Sequence, residues 1–258
     1  TVRADGELVM AASALLAAPR TAYAFPGQGI QSRGMGMAGY QRCPAAREIW
    51  DRADAHTRKA LGFSILTVVR DNPTELTIDG TCHQHPDGVL YLTQFTQVAM
   101  AVLGAAQMAE LRAGGVFVDD AVLAGHSVGE YNALAAVSGV ISLEAVVEVV
   151  FGRGSVMHTL VPRDEKGRSN YRLAAIRPSQ VGLADDEVTD YIEALSADSG
   201  EFLQIVNYNL RGSQYAIAGT VAGLELLERE VAKRREQFGG KAAFILVPGI
   251  DVPFHSRV

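Results

Sequence analysis

Apolar and polar positions follow one another along this chain with a rhythm that changes near residue 170. Before that point apolar residues recur mostly at helical spacing. Ile49, Trp50, Ala53 and Leu61 fall on or near one face and predict an amphipathic helix over residues 43–61. Residues 94–111 repeat the pattern and predict a longer helix. Ser142-Leu143-Glu144 reads as a helix start, with the helix running on to Met157. Two short apolar runs break this helical stretch. Tyr23-Ala24-Phe25 is expected to be a short strand, and Ala121-Val122-Leu123-Ala124 a buried one. Residues 71–89 are polar and rich in turn formers, and are expected to be a loop. Residues 1–20 read as a linker or short lead-in helix.

From residue 171 onward strands dominate. Tyr171 to Ile176, Phe202 to Asn207, Gln214 to Ala218 and Ala242 to Val247 are predicted strands, and Glu187 to Leu195 and Leu224 to Phe238 are predicted helices. The order is β-α-β-β-α-β, that of a ferredoxin-like unit. The expected fold is therefore α/β: a core with a parallel sheet over residues 21–165, an inserted ferredoxin-like subdomain over 166–247, and a return to the core over 248–258. The chain starts without Met and stops at Val258, so it is expected to be part of a longer polypeptide.

The composition narrows the function classes. Among 258 residues, 48% are hydrophobic and 20% charged, which is ordinary for a globular protein. The net charge of −6, with no Lys/Arg block, argues against a nucleic-acid binder. No apolar run approaches the length of a membrane span. Cys43 and Cys82 are too few for a disulfide framework, and point to a cytoplasmic setting.

Gly125-His126-Ser127-Val128-Gly129 carries the chemistry. It reads G-x-S-x-G between an expected strand and an expected helix, the setting of a nucleophile elbow; the bland alternative is a tight turn with an ordinary serine. A serine nucleophile needs a base and an oxyanion hole. His255 is the candidate base, because it follows a strand and the Pro253-Phe254 turn; it also reads as a structural histidine. Of the other histidines, His126 is expected to point away from the site, His83 and His85 to lie at the surface, and His56 and His158 to lie on helices without a visible partner. The turn Phe25-Pro26-Gly27-Gln28-Gly29 either simply ends a strand or presents a backbone N–H to an oxyanion, with Val128 as second donor. Arg153 reads as a surface residue near a helix end, or as a buried guanidinium that grips a carboxylate. No metal site is expected.

Taken together, these segments resemble the malonyl-CoA:acyl-carrier-protein acyltransferase family. The motifs stand in the family's order: Phe25-Pro26-Gly27-Gln28-Gly29-Ile30-Gln31, Thr96-Gln97-Val98-Ala99, Gly125-His126-Ser127-Val128-Gly129-Glu130, Arg153-Gly154-Ser155-Val156-Met157 and Pro253-Phe254-His255-Ser256. Gly167-Arg168-Ser169-Asn170-Tyr171 and Ile205-Val206-Asn207-Tyr208-Asn209 resemble the malonyl/palmitoyl transferase domain of type I fatty acid synthases of fungal and actinobacterial kind. The resemblance implies an α/β-hydrolase-like core. It also implies Ser127 as acyl acceptor, His255 as base and the backbone amides of Gln28 and Val128 as oxyanion hole. Arg153 would bind the malonyl carboxylate, Gln97 would line the pocket, and Phe254 would match the malonyl-selecting version. It implies malonyl-CoA and palmitoyl-CoA as substrates, no permanently bound cofactor, and as partners an acyl carrier protein with its phosphopantetheine and the other domains of a synthase. The segment in which the family orients its histidine has no counterpart here, and Asp251 lies too close in sequence to His255 to serve comfortably. A serine esterase or thioesterase, and a noncatalytic docking segment of a megasynthase, are the competing readings.

Overall fold

The computed structural model describes residues 21–258; the expected lead-in segment lies outside the described residues. The first lobe is built around one helix. Helices α1 (Met37–Arg42), α2 (Pro44–Ala60) and α3 (Ile65–Asp71) precede strands β2 (Glu75–Ile78) and β3 (Thr81–Gln84), and then comes the central helix α4 (Thr93–Ala113). It is buried without a break from Thr93 to Val102, which requires neighbours on every side. They are α2, α5 (Val128–Ala136) and α6 (Leu143–Thr159). Helix α2 turns Ala46, Trp50, Ala53, Asp54 and Thr57 inward at helical spacing. Asp54 is not stranded there. Its carboxylate accepts from Ser64 Oγ at 2.6 Å, the Leu66 amide at 3.0 Å and Arg58 Nε at 2.7 Å, which ties the end of α2 to the start of α3.

Strands β1 (Ala22–Phe25) and β4 (Val122–Gly125) pair in parallel, Ala24 facing Ala124. Among the described residues this pair is the whole parallel sheet, so the first lobe is mainly helical rather than built on an extended parallel sheet. Residues 71–89 also depart from expectation. They hold the antiparallel hairpin β2–β3, closed by Asp79 and Gly80 with φ of 47° and 80°. Positive φ at both turn residues is the requirement of the tight hairpin turn that Asp-Gly favours.

The second lobe is a four-stranded sheet in the order β6 (Leu203–Leu210), β7 (Gln214–Thr220), β5 (Tyr171–Ile176), β8 (Phe244–Leu246). Every neighbouring pair is antiparallel. Side chains alternate between its faces as the strand period demands. Ala174, Ile176, Tyr215 and Ile217 pack under helices α7 (Val188–Ser199) and α8 (Val221–Phe238). Leu173, Ala216 and Ala218 face the other way, onto Val161, Ile250, Val252 and Phe254. Both faces are thus covered, and the second holds the segment that leads to His255. No helix among the described residues is long and apolar enough to cross a membrane.

Candidate active site

The chain turns from β4 into α5 with almost no room. A Cβ on Gly125 would stand 2.3 Å from the Glu130 nitrogen, and one on Gly129 would stand 2.1 Å from the Phe25 oxygen. Only glycine fits at either place. Between them Ser127 has φ 54° and ψ −114°, a strained conformation for a residue with a side chain. The strain lifts its hydroxyl out of the turn. His255 also has a positive φ, 60°, and its Nε2 stands 3.0 Å from Ser127 Oγ. Two residues held in sparsely populated backbone conformations therefore meet across 128 residues of sequence.

Arg153 approaches from α6. Its Nη2 donates to Ser127 Oγ at 3.2 Å and its Nη1 to Gln97 Oε1 at 2.8 Å. Gln97 is itself buried on α4. What brings the two helices together is Gly154, where an added Cβ would stand 2.5 Å from the Gln94 Cα. Burial lowers the Arg153 guanidinium from its ordinary value, with Tyr131 opposing; an arginine remains charged at neutral pH all the same. The His255 imidazole is also held below its ordinary value, first by partial burial, then by the charge of Arg153 and by His126. It is therefore neutral near pH 7, and Nε2 can accept the Ser127 proton while Oγ accepts from Arg153.

These groups line one small, partly open cavity. Gln28, Gln97, Ser127, Val128 and Arg153 come from the first lobe, Leu173 and Asn207 from the second, Phe254 and His255 from the return segment. All seven residues singled out from the sequence thus come together. The loop carrying Gln28 is fastened on both sides: the Gly29 amide donates to Gln31 Oε1 at 2.8 Å, and Gln31 Nε2 donates to the Gly249 carbonyl at 3.0 Å.

Other expectations need correction. His126 does not point away; it lines the cavity, and its Nε2 lies 3.1 Å from Asn209 Oδ1. His83 and His85 are half-buried rather than at the surface. His83 meets the Phe95 ring edge-on, and burial lowers both imidazoles. His56 has a partner, Glu148 at 2.8 Å. Asp251 agrees with expectation: it does not orient His255 but is engaged by Arg163, whose Nη2 donates to Oδ1 at 3.2 Å. Sequence reasoning did not single out Asn207 and Asn209 as site residues. Strand β6 slips register between Ile205 and Asn207. This bulge turns Asn207 to the cavity face, while Ile205 keeps to the helix side. Two asparagines at alternate positions near the end of the strand, Asn207 and Asn209, were the available signal. No group of three His, Cys, Asp or Glu side chains among the described residues is placed to hold a metal ion.

The sequence pattern of the family described as "Acyl transferase domain" matches residues 22–239. The chain belongs to the acyl transferase domain family. It is an acyltransferase by that membership. The fatty acid synthase beta subunit stcK of Emericella nidulans is 33% identical over 98% of this chain and 16% of its own length. The fatty acid synthase subunit beta of Saccharomyces cerevisiae is 37% identical over 86% of this chain and 13% of its own. The chain therefore spans about a sixth or less of these relatives. Among solved structures, the acyl-carrier-protein S-malonyltransferase of Burkholderia pseudomallei superposes with a TM-score of 0.65 at 33% identity, over 92% of this chain and 65% of that one. FabD of Acinetobacter baumannii gives 0.66 at 30% identity, over 92% and 63%. The α/β fold is theirs.

Proposed function

We propose that this chain moves malonyl groups, and palmitoyl groups, between coenzyme A and the phosphopantetheine thiol of an acyl carrier protein, as the malonyl/palmitoyl transferase part of a cytoplasmic type I fatty acid synthase. The observation that carries the reading is Ser127 Oγ held between His255 Nε2 at 3.0 Å and Arg153 Nη2 at 3.2 Å. An esterase needs a serine and a histidine; a fixed guanidinium beside the nucleophile suits an acyl group that itself bears a carboxylate. The turn at Gly125–Gly129 acts as a nucleophile elbow. The lobe over 166–247 is a ferredoxin-like subdomain inserted between the core at 21–165 and the return segment at 248–258. Its strand order supports this reading.

In the reaction, His255 Nε2 takes the Ser127 proton as Oγ attacks the thioester carbonyl. The backbone amides of Gln28 and Val128 stabilise the oxyanion. The tetrahedral intermediate expels the coenzyme A thiolate, which takes the proton from His255, and an acyl-serine remains. The carrier's thiol then attacks that ester by the same steps in reverse. Arg153, aligned by Gln97, pairs with the malonyl carboxylate, and Phe254 closes the cavity beside it. The fatty acid synthase relatives, and a solved complex of a malonyl-transacylase with an acyl carrier protein, support the carrier as partner.

The test is intact-mass spectrometry after exposure to malonyl-CoA and, separately, palmitoyl-CoA. Each should add one acyl group, and Ser127→Ala should add none. Addition of a pantetheine thiol should discharge the acyl-enzyme much faster than water does. Discharge by water at an equal rate would make the chain a thioesterase, and an undiminished adduct on Ser127→Ala would remove the mechanism.

A further inference from the structure

The oxyanion turn contains two glutamines with opposite fates. Gln31 uses both ends of its carboxamide, accepting from the Gly29 amide and donating to the Gly249 carbonyl. Gln28 uses neither. Its Oε1 and Nε2 are both shielded from solvent, and neither has a hydrogen-bond partner among the described residues. Other buried polar atoms without partners, such as Trp50 Nε1 and Asn132 Oδ1, occur one to a side chain. Gln28 is the side chain with a donor and an acceptor both unpaired, and it lines the cavity of Ser127 and His255. A buried donor or acceptor left unpaired is costly, and a turn of this carboxamide into the cavity that its side chain lines would relieve the cost by pairing both atoms with a ligand.

The pairing capacity of Gln28 says which contact. A carboxylate offers only acceptors, and Arg153 already stands beside Ser127 to receive one. Placing Gln28 against it would leave Oε1 facing negative charge. The complement of a carboxamide is another amide, with one N–H and one C=O. Every substrate of the proposed transfer carries that group. The phosphopantetheine arm, common to coenzyme A and a carrier protein, has an amide two methylenes from its sulfur. Gln28 has its carboxamide two methylenes from its Cα, beside a backbone N–H assigned above to the oxyanion.

We propose that the Gln28 side chain recognises this first amide of the pantetheine arm, Nε2 donating to its carbonyl and Oε1 accepting from its N–H. Gln28 would then serve the reaction twice, its main chain at the acyl carbonyl and its side chain on the leaving and the incoming thiol. The assignment rests on the transferase reading. It makes the arm, and not the acyl group, what the carboxamide recognises.

The experiment compares two malonyl thioesters on the wild-type chain and on Gln28→Met: that of N-acetylcysteamine, which keeps the amide, and that of pentanethiol, which replaces it with methylenes. The readout is the rate of Ser127 acylation at limiting substrate. The wild type should prefer the amide-bearing thioester by about tenfold, the scale of a paired buried amide. In Gln28→Met the ratio of the two rates should fall to about one, whatever the substitution does to the rate on either thioester alone. Equal losses on both thioesters would overturn the proposal, since the carboxamide would then serve the acyl centre or the fold. If Gln28→Met does not fold, the wild-type comparison still decides, because equal rates on the two thioesters overturn it. Failure of both thioesters to acylate the wild type would instead defeat the transferase reading itself.

Discussion

At the scale of single residues, the site turns on what Arg153 does to its two neighbours. It donates to Ser127 Oγ and to Gln97 Oε1, and in the proposed transfer it would pair with the malonyl carboxylate. A carboxylate drawn out of water without a partner costs several kcal/mol, and a planar two-donor fork offsets this while fixing orientation. A saturated chain gains nothing from the guanidinium and must displace it. Arg153→Ala should therefore cut malonyl transfer by about a hundredfold, as loss of a charged hydrogen-bonded pair implies, and leave palmitoyl transfer intact or faster. Arg153→Lys should rescue malonyl transfer poorly, since a point charge cannot reproduce the fork. The check is kcat/KM for both thioesters; equal losses would reduce Arg153 to a structural residue. The same guanidinium helps hold His255 below its ordinary value of 6.5. A base with a lowered pKa is already deprotonated at neutrality. Acylation should thus rise with pH to a plateau whose midpoint lies below 6.5, and in Arg153→Ala that midpoint should move upward. An unmoved midpoint would show that His255 does not feel Arg153.

Among elements, the decisive contact is the crossing of α4 and α6 at Gly154. The missing side chain lets α6 approach within a Cβ's width of Gln94, and that approach sets the 2.8 Å bond between Arg153 and Gln97. Gly154→Ala should push the helices apart, cost about 1–3 kcal/mol as overpacking does, and slow malonyl transfer more than palmitoyl transfer. Denaturant melts and the two acylation rates would check it; a fully stable variant with unaltered selectivity would mean that the crossing does not govern Arg153. The sequence carried some of this. Gly154 and Arg153 stood in a legible motif, and the elements over 171–247 come in the order their alternation suggested. What was not legible has physical reasons. Glu75–Gln84 is too polar for an apolar alternation to announce a hairpin, and the Asp79-Gly80 turn was its one clear signal. Asn207 reaches the cavity through a bulge, which shifts the inward face by one residue and cannot be read from period two. His126 was misjudged because its placement depends on Asn209, from the other lobe. The parallel pair β1–β4 is also more open than its apolar sequence suggests: of its residues Phe25 is the buried one, and α5, which follows the Ser127 turn, is the helix that packs on both strands.

In the whole molecule, the two lobes and the return segment are joined by a charged junction behind the active site. Arg163 and Asp251, both largely buried, pair there, four residues before His255. Around them stand His158 at the end of α6 and His83 and His85 on and beside the β2–β3 hairpin; these charges and imidazoles act on His158 together. His158 Nδ1 is buried without a partner among the described residues. Burial foremost, and then Arg163, push this imidazole down to about 4, against the attraction of Asp251. The folded chain thus keeps His158 neutral between about pH 4 and 6.5, where an unfolded chain would protonate it. The unfolded state binds the extra proton in that window, so stability should be full above pH 6.5 and fall as pH drops toward 4. His83 and His85 are lowered in the same direction and should add to the slope. The return segment leaves this junction, so acylation of Ser127 should fail together with the fold on acidification. Thermal melts of the wild type and of His158→Phe from pH 7.5 to 4.5 would check it, the variant flattening the decline because it has no proton to refuse. Asp251→Asn should act differently, lowering stability by about 3–5 kcal/mol already at pH 7.5 by leaving the Arg163 guanidinium buried and uncompensated. If His158→Phe declines as steeply as the wild type, the acid sensitivity belongs to other groups, and His158 is not what the junction holds neutral.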